Sequence, residues 1–91
     1  MSLRVTAQNL TSRNGMVTVE GDSQEEVMSP AAKQMAIQTA MAGGINRAGI
    51  SGNEVAYPVN ADGETSEDLL FARNGQKVAA YRCDYNVTGG L

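Results

Sequence analysis

The chain has 91 residues, of which 42% are apolar and 19% are charged, and its formal net charge is −3. This length supports one small hydrophobic core, so we expect residues 1–91 to form a single domain, with residues 86–91 as a loose tail. The negative charge argues against nonspecific nucleic-acid binding, because that binding depends on Lys and Arg.

A lone cysteine and the absence of histidine restrict the chemistry. Cys83 cannot form an internal disulfide and has no sequence partner that would activate it as a nucleophile. Without histidine the chain lacks the commonest acid–base residue and metal ligand. We therefore expect a protein that is not an enzyme and has no cofactor and no metal site. No apolar run approaches roughly 18 residues and no secretory leader is visible, which predicts a cytoplasmic protein without a membrane span.

The first part of the chain predicts a β-hairpin. Residues 3–10 alternate loosely between apolar and polar side chains, which indicates a half-buried strand, and residues 16–20 alternate as a second strand. Between them Asn14-Gly15 is typical of a two-residue turn, because both positions tolerate positive φ.

The strongest helical segment is residues 30–42, PAAKQMAIQTAMA, whose residues lose little freedom in a helix. Ser29 is a good amino-terminal cap, Pro30 suits the first helical position, and Gly43 supplies a left-handed stop. Upstream, residues 23–26 have the spacing of a capping box, which is a rival start for the helix. Both signals hold if a short first turn precedes Pro30 and the helix bends there.

The periodicity of this helix leaves two interpretations of its outer surface. At about 100° per residue, one face consists mainly of small side chains. Its members are Met28, Ala31, Ala32, Met35, Ala36, Thr39 and Ala42. If that face is inside, Ile37 and Met41 point outward beside Lys33 and form a self-association or partner surface. Alternatively, the helix is rolled or covered by a terminal segment, and Ile37 and Met41 are partly buried.

The segment after the helix is rich in glycine. Residues 43–53 predict a loop that is anchored by Ile45 and Ile50, and Arg47 within it could help to hold an anion. Residues 54–59 then alternate as a strand, which should end or lie at a sheet edge at Pro58 because proline cannot donate to the ladder.

Residues 66–85 also have two interpretations. Residues 69–73 and 76–83 flank Asn74-Gly75 and favour a second hairpin. A short helix over residues 66–73 competes with it, because Thr65 and Asp68 have capping-box spacing and Gly75 could end the helix. Preferring the hairpin, we predict an α+β fold: a single antiparallel sheet of about five strands with one main helix packed on one face, in the order ββαβββ.

The charged residues fall into groups that are either solvated surface or binding sites. One acidic cluster comprises Glu20, Asp22, Glu25 and Glu26, and a second comprises Asp62, Glu64, Glu67 and Asp68. In one interpretation, each cluster is solvated surface, since acidic residues are common in turns and at helix starts. In the other, the clusters form an electronegative surface that docks on a basic protein or occupies a nucleic-acid channel. The candidate ligands for a nucleotide-like anion are Arg47, Arg13, Arg73 and Lys77.

The order of these patterns resembles a known group of proteins. A strand, an Asn-Gly turn, the strand Val17-Thr18-Val19-Glu20, and then Ser23-Gln24-Glu25-Glu26 opening an alanine-rich helix look like the small α+β proteins of bacteriophages, which include anti-CRISPR and other anti-defence inhibitors. The likeness covers residues 3–85 as a pattern and transfers no functional residue. It implies a short, acidic, often dimeric protein that occupies a partner's surface or sequesters a small ligand.

We therefore expect a non-enzymatic binding protein, a homodimer in the host cytoplasm, that acts as a phage-type inhibitor of a host protein complex. The predicted partner surface comprises Ile37, Met41, Lys33, Glu20, Asp22, Glu25 and Glu26. The alternatives are a module that sequesters a nucleotide-like anion, and a structural or assembly protein.

Overall fold

The computed structural model describes residues 3–8, 13–51 and 54–89, with residues 7 and 8 described by their backbone alone. The elements in chain order are β1 (Arg4–Gln8), β2 (Asn14–Gly21), α1 (Gln24–Val27), α2 (Pro30–Ala42), β3 (Gly49–Ile50), β4 (Tyr57–Val59), α3 (Glu67–Leu70) and β5 (Ala80–Thr88). All strand pairs are antiparallel, and together they form a five-stranded sheet. The predicted α+β class is confirmed. Among the described residues no helix is both long enough and apolar enough to cross a membrane.

The sheet is built around β5. One edge of β5 pairs with β2 from Gly21↔Tyr81 to Asn14↔Thr88, and β2 in turn pairs with β1. The other edge of β5 pairs with β4 near its start and with β3 near its end. The prediction of a loose tail is therefore wrong for residues 86–88, which belong to β5, and Val87 among them is fully buried. Residues 90 and 91 of that predicted tail lie outside the described residues.

Asn14-Gly15 do not form the predicted turn. Both residues lie in β2, where they pair with Thr88 and Val87 of β5. The β1–β2 pairing already ends at Gln8↔Met16. The backbone partners that the long β5 supplies thus outweigh the local turn preference of Asn-Gly.

Residues 9 and 10 of the predicted first strand, and residues 52 and 53 of the predicted loop, lie outside the described part of the chain.

Helices α1 and α2 both begin at the serine caps that the sequence predicts. Ser23 Oγ accepts from the Glu26 N–H at 3.2 Å, and Ser29 Oγ accepts from the Ala32 N–H at 3.2 Å. Ser29 also donates its hydroxyl to the Glu26 carbonyl at 2.6 Å, which joins the end of α1 to the start of α2. At the other end of α2, the left-handed residue is Gly44, with φ of 111°, and not Gly43 as predicted.

The core lies between α2 and one face of the sheet. Fully buried side chains from β2 and β5 meet a buried stripe of alanines on α2. They are Val17, Val19, Cys83, Val87, Ala32, Ala36 and Ala40. Because alanine carries a single methyl group, α2 can approach the strands closely.

This stripe is not the face that we predicted. Ala31 and Ala42, which were expected inside, are exposed, and the buried stripe is rolled by about 80° from the predicted face at 3.6 residues per turn. Ile37 is consequently half-buried and Met41 is 49% exposed. The helix therefore follows the rolled alternative. Periodicity could not decide this, because apolar residues occur on every side of α2.

The predicted second hairpin is wrong, and the competing short helix is what forms. Ser66, not Thr65, caps α3 by accepting from the Leu69 N–H at 3.2 Å. Asn74 and Gly75 adopt positive φ, and residues 76–79 form no strand. The physical reason is that β2 and β4 already pair with both edges of the start of β5, so residues 69–73 have no edge to join there. The predicted order ββαβββ holds for the five strands and the main helix α2, and the short helices α1 and α3 are additional to it.

Replacing Ala36 by Leu should lower the free energy of unfolding by about 1–3 kcal/mol, because the methyl group is fully buried between α2 and the sheet. The matched change Ala31→Leu lies on the exposed side of the same helix and should alter stability by less than about 0.5 kcal/mol. Urea unfolding followed by circular dichroism measures both values. Equal losses in the two variants would contradict the observed roll of α2.

Candidate functional sites: the open face and the arm

The face of the sheet opposite α2 carries polar side chains. Side chains alternate along a strand, so residues that lie between the core positions of β2 and β5 point to the other side. We call this surface the open face. Its members are Arg4, Thr6, Thr18, Glu20, Tyr57, Arg82 and Asp84.

One half of the open face is centred on Asp84. Its Oδ1 accepts from Thr18 Oγ1 at 2.6 Å, and Tyr57 OH lies 3.0 Å from each of its carboxylate oxygens. Burial, together with the hydrogen bond to Asp84, raises the pKa of Tyr57 to about 12. Tyr57 is therefore a neutral donor over the ordinary pH range, and this network links β2, β4 and β5.

The other half is centred on Glu20, which lies between two arginines. Arg82 Nε donates to Glu20 Oε1 at 3.2 Å, and Arg4 Nη2 contacts Oε2 from the opposite side. The Glu20 side chain is 17% exposed, whereas that of Arg4 is 72% exposed. Arg82 Nη1 also donates to the Gly63 carbonyl at 3.3 Å.

A cleft of about 430 Å³ opens beside this group, and we call it the Arg4–Arg82 cleft. Its lining residues are Arg4, Thr6, Thr18, Glu20 and Arg82. The lining thus carries two positive charges and one negative charge, in a chain whose net charge is −3.

The second candidate surface is the segment of residues 60–79 that connects β4 to β5, which we call the arm. Within it, α3 packs on β4, and Leu69 is the buried anchor. Three large apolar side chains of the arm are nevertheless exposed: Leu70 by 55%, Phe71 by 63% and Val78 by 40%. Phe71 is the only phenylalanine of the chain, and the Arg73 guanidinium carbon lies 5.4 Å from its ring centroid.

The arm is also acidic. It holds the predicted acidic cluster Asp62, Glu64, Glu67 and Asp68. The arm also contains two cations, Arg73 and Lys77, so its net charge is −2. Arg73 lies 3.6 Å from Glu67 and 3.5 Å from Asp68 in exposed ion pairs, which contribute little to stability.

The residues of the predicted partner surface are divided between two sides of the sheet. Glu20 lies on the open face, whereas α2 with Lys33, Ile37 and Met41 packs on the other face. Asp22 follows β2, and Glu25 and Glu26 form the first turn of α1. One carboxylate oxygen of Glu26 is buried without a hydrogen-bond partner among the described residues.

The four predicted anion ligands also fall into two groups. Arg13 precedes β2 and Arg47 follows α2, and both segments meet Gly89 at the end of β5. Arg73 and Lys77 lie on the arm, before the start of β5. The nine residues of β5 separate the two groups by about 26 Å at 3.3 Å per residue. The structure does not bring these four cations together.

Sequence analysis missed most of the residues that do come together. Arg4, Thr18, Tyr57 and Asp84 were assigned no role, and Glu20 was grouped with the acids of α1. The signal that would have found the Arg4–Arg82 cleft is the strand register, since Arg4 and Arg82 are each paired with Glu20. That register depends on pairing across 62 positions of sequence between Glu20 and Arg82.

The described part of the chain offers few other groups for metal binding or nucleophilic catalysis. No group of three or more His, Cys, Asp or Glu side chains there could hold a metal ion. Cys83 is fully buried, and burial raises the pKa of its thiol, which is the opposite of what an activated nucleophile needs.

Comparison of the chain with protein-family models, curated proteins and solved structures finds no match. Function is therefore inferred from the open face and the arm.

Raising the pH from 10 to 12 should destabilise the fold partly through Tyr57. Its phenol ionises at an ordinary pKa of 10.0 when unfolded but at about 12 when folded. Between these values the unfolded state has lost a proton that the folded state keeps, so the free energy of unfolding falls as pH rises. Tyr57→Phe removes this contribution and should show a shallower decline, measured by urea unfolding at several pH values. The same slope in both proteins would mean that Tyr57 ionises at its ordinary pKa.

Proposed function

We propose that this chain is a non-enzymatic binding protein that docks on a larger partner protein through its arm. The observation that carries the proposal is the exposure of Leu70 and Phe71, which are consecutive residues at the end of α3. Grouped, exposed apolar side chains mark interaction sites on soluble domains. Aromatic side chains also dominate the few residues that supply most of the binding energy in protein interfaces.

Local hydrogen bonds hold the arm in place. Asn60 Oδ1 accepts from the N–H groups of Asp62 and Glu64 at 2.9 Å each, and the Ala79 N–H donates to the Val59 carbonyl at 2.8 Å. Together with the Ser66 cap and the buried Leu69, these bonds fix the backbone that presents Phe71. A segment that is already ordered loses less conformational entropy when it binds, so the same contacts yield more affinity.

The charge of the arm defines the chemistry of the partner. The arm has a net charge of −2, and Glu67 and Asp68 of α3 precede the exposed Leu70 and Phe71, although the Arg73 guanidinium lies against the Phe71 ring. The complementary surface is therefore an apolar recess that accepts Phe71 and is bordered by Lys and Arg. Charges at the border of such an interface mainly raise the association rate and make it sensitive to salt. The apolar contact supplies most of the affinity.

This mode of action fits the resemblance to small phage inhibitors. We assign the partner to a host protein complex in the cytoplasm, which the arm would block by occupying its surface. Self-association through Ile37 and Met41 stays a prediction, as does a structural or assembly role. Compared with the arm, the exposed Met41 is a single apolar side chain beside a half-buried Ile37.

The test is capture from a bacterial lysate with immobilised protein in matched variants. Phe71→Ser should lower the amount of a stoichiometrically bound protein by about tenfold or more, because truncating a central aromatic contact commonly costs at least 2 kcal/mol. Met41→Ser makes a comparable change on α2 and should leave capture unchanged. Glu67→Lys should weaken capture most at low salt, where exposed charges are least screened.

Two results would overturn the proposal. One is that no protein is captured in stoichiometric amount by the unmodified chain. The other is that Phe71→Ser captures as much as Met41→Ser does. Light scattering on the purified chain identifies a second copy as the occupant if the mass doubles and Phe71→Ser restores the monomer, which would replace the host partner with self-association.

A further inference from the structure

The Arg4–Arg82 cleft has donor groups that the described residues leave unused. A guanidinium carries several N–H donors. Arg82 uses Nε for Glu20 and Nη1 for the Gly63 carbonyl, and Arg4 uses one terminal nitrogen for Glu20. The remaining N–H groups of both arginines make no bond to the described residues. The cleft therefore offers mainly hydrogen-bond donors at its charged end.

Glu20 holds the two guanidinium groups in place beside the cleft. Its carboxylate binds Arg82 at one oxygen and Arg4 at the other, so one partly buried acid orients both cations. A long arginine side chain that is already oriented loses less conformational freedom when a ligand binds. Glu20 also neutralises only one of the two positive charges, which leaves the lining with an excess of one.

The acid Asp84 of the open face has other donors. Asp84 follows Arg82 by two residues in β5 and therefore lies on the same face, but it does not line the cleft. Its oxygens accept from Thr18 and Tyr57. The lining of the cleft is positive by one charge on an acidic molecule. Thr6 adds a further hydroxyl group to it, whereas the Thr18 hydroxyl already donates to Asp84.

We propose that the Arg4–Arg82 cleft binds a small anion that carries a carboxylate or phosphate group. The planar fork of a guanidinium matches the paired oxygens of either group, which permits two parallel hydrogen bonds. The volume of about 430 Å³ lies within the range of small-molecule sites, roughly 300–1,000 Å³. The site does not depend on the arm as a docking segment, so the two proposals can fail separately.

Isothermal titration calorimetry at constant ionic strength tests this site, with inorganic phosphate and citrate as separate probes. Saturable binding of at least one probe is expected. Arg4→Gln should weaken it by tenfold or more, because Arg4 is largely exposed and its loss leaves the core intact. Lys33→Gln removes the same charge from an exposed position of α2, on the other side of the sheet, and should bind as the unmodified chain does. Phe71→Ser should also bind normally.

Binding of phosphate alone would define the ligand as a phosphoryl compound, and binding of citrate alone would define it as a carboxylate. Absence of saturable heat with both probes overturns the proposal. Equal weakening by Arg4→Gln and Lys33→Gln also overturns it, because the effect would then follow the net charge of the protein and not the cleft.

Discussion

The antiparallel register between β2 and β5 is the constraint on which the rest of the structure depends. It places Val17 opposite Tyr85 and Val19 opposite Cys83, and these side chains meet the alanines of α2. The same register places Glu20 opposite Arg82 on the open face. A shift of one residue would turn every side chain of a strand to the other face. Core and cleft are therefore two consequences of one pairing.

The exposed arm follows from the same sheet. Because the edges of β5 are occupied by β2 on one side and by β4 and β3 on the other, the chain between β4 and β5 cannot add a strand there. Backbone N–H groups of this segment form hydrogen bonds to nearby side chains instead, in the Asn60 turn and at the Ser66 cap. Leu69 reaches a buried site, whereas Leu70 and Phe71 do not. Their exposure is thus a result of topology, and it supplies the surface that we propose for docking.

Apart from the antiparallel sheet of five strands and its main helix, the features that sequence predicted correctly are local ones. Ser23 and Ser29 cap helices through bonds that span three residues, so residue type and spacing are sufficient to find them. The mistaken elements depend on distant partners: Asn14-Gly15 became strand because β5 pairs with them, and residues 66–73 stayed out of the sheet because that edge was occupied. For the candidate sites, sequence identified Glu20 and the acids of the arm as charged groups. It could not pair Glu20 with Arg4 and Arg82, and it placed Phe71 in a strand.

The distribution of charge separates the two proposed surfaces. The arm has a net charge of −2, whereas the lining of the Arg4–Arg82 cleft has an excess of one positive charge. An anionic ligand is repelled by the arm and attracted to the cleft, and a basic partner surface experiences the opposite preference. The only described bond between these regions runs from Arg82 to the Gly63 carbonyl, at the base of the arm and away from Phe71 in sequence. Under the two proposals, the sign of the charge on each surface would therefore select its class of partner.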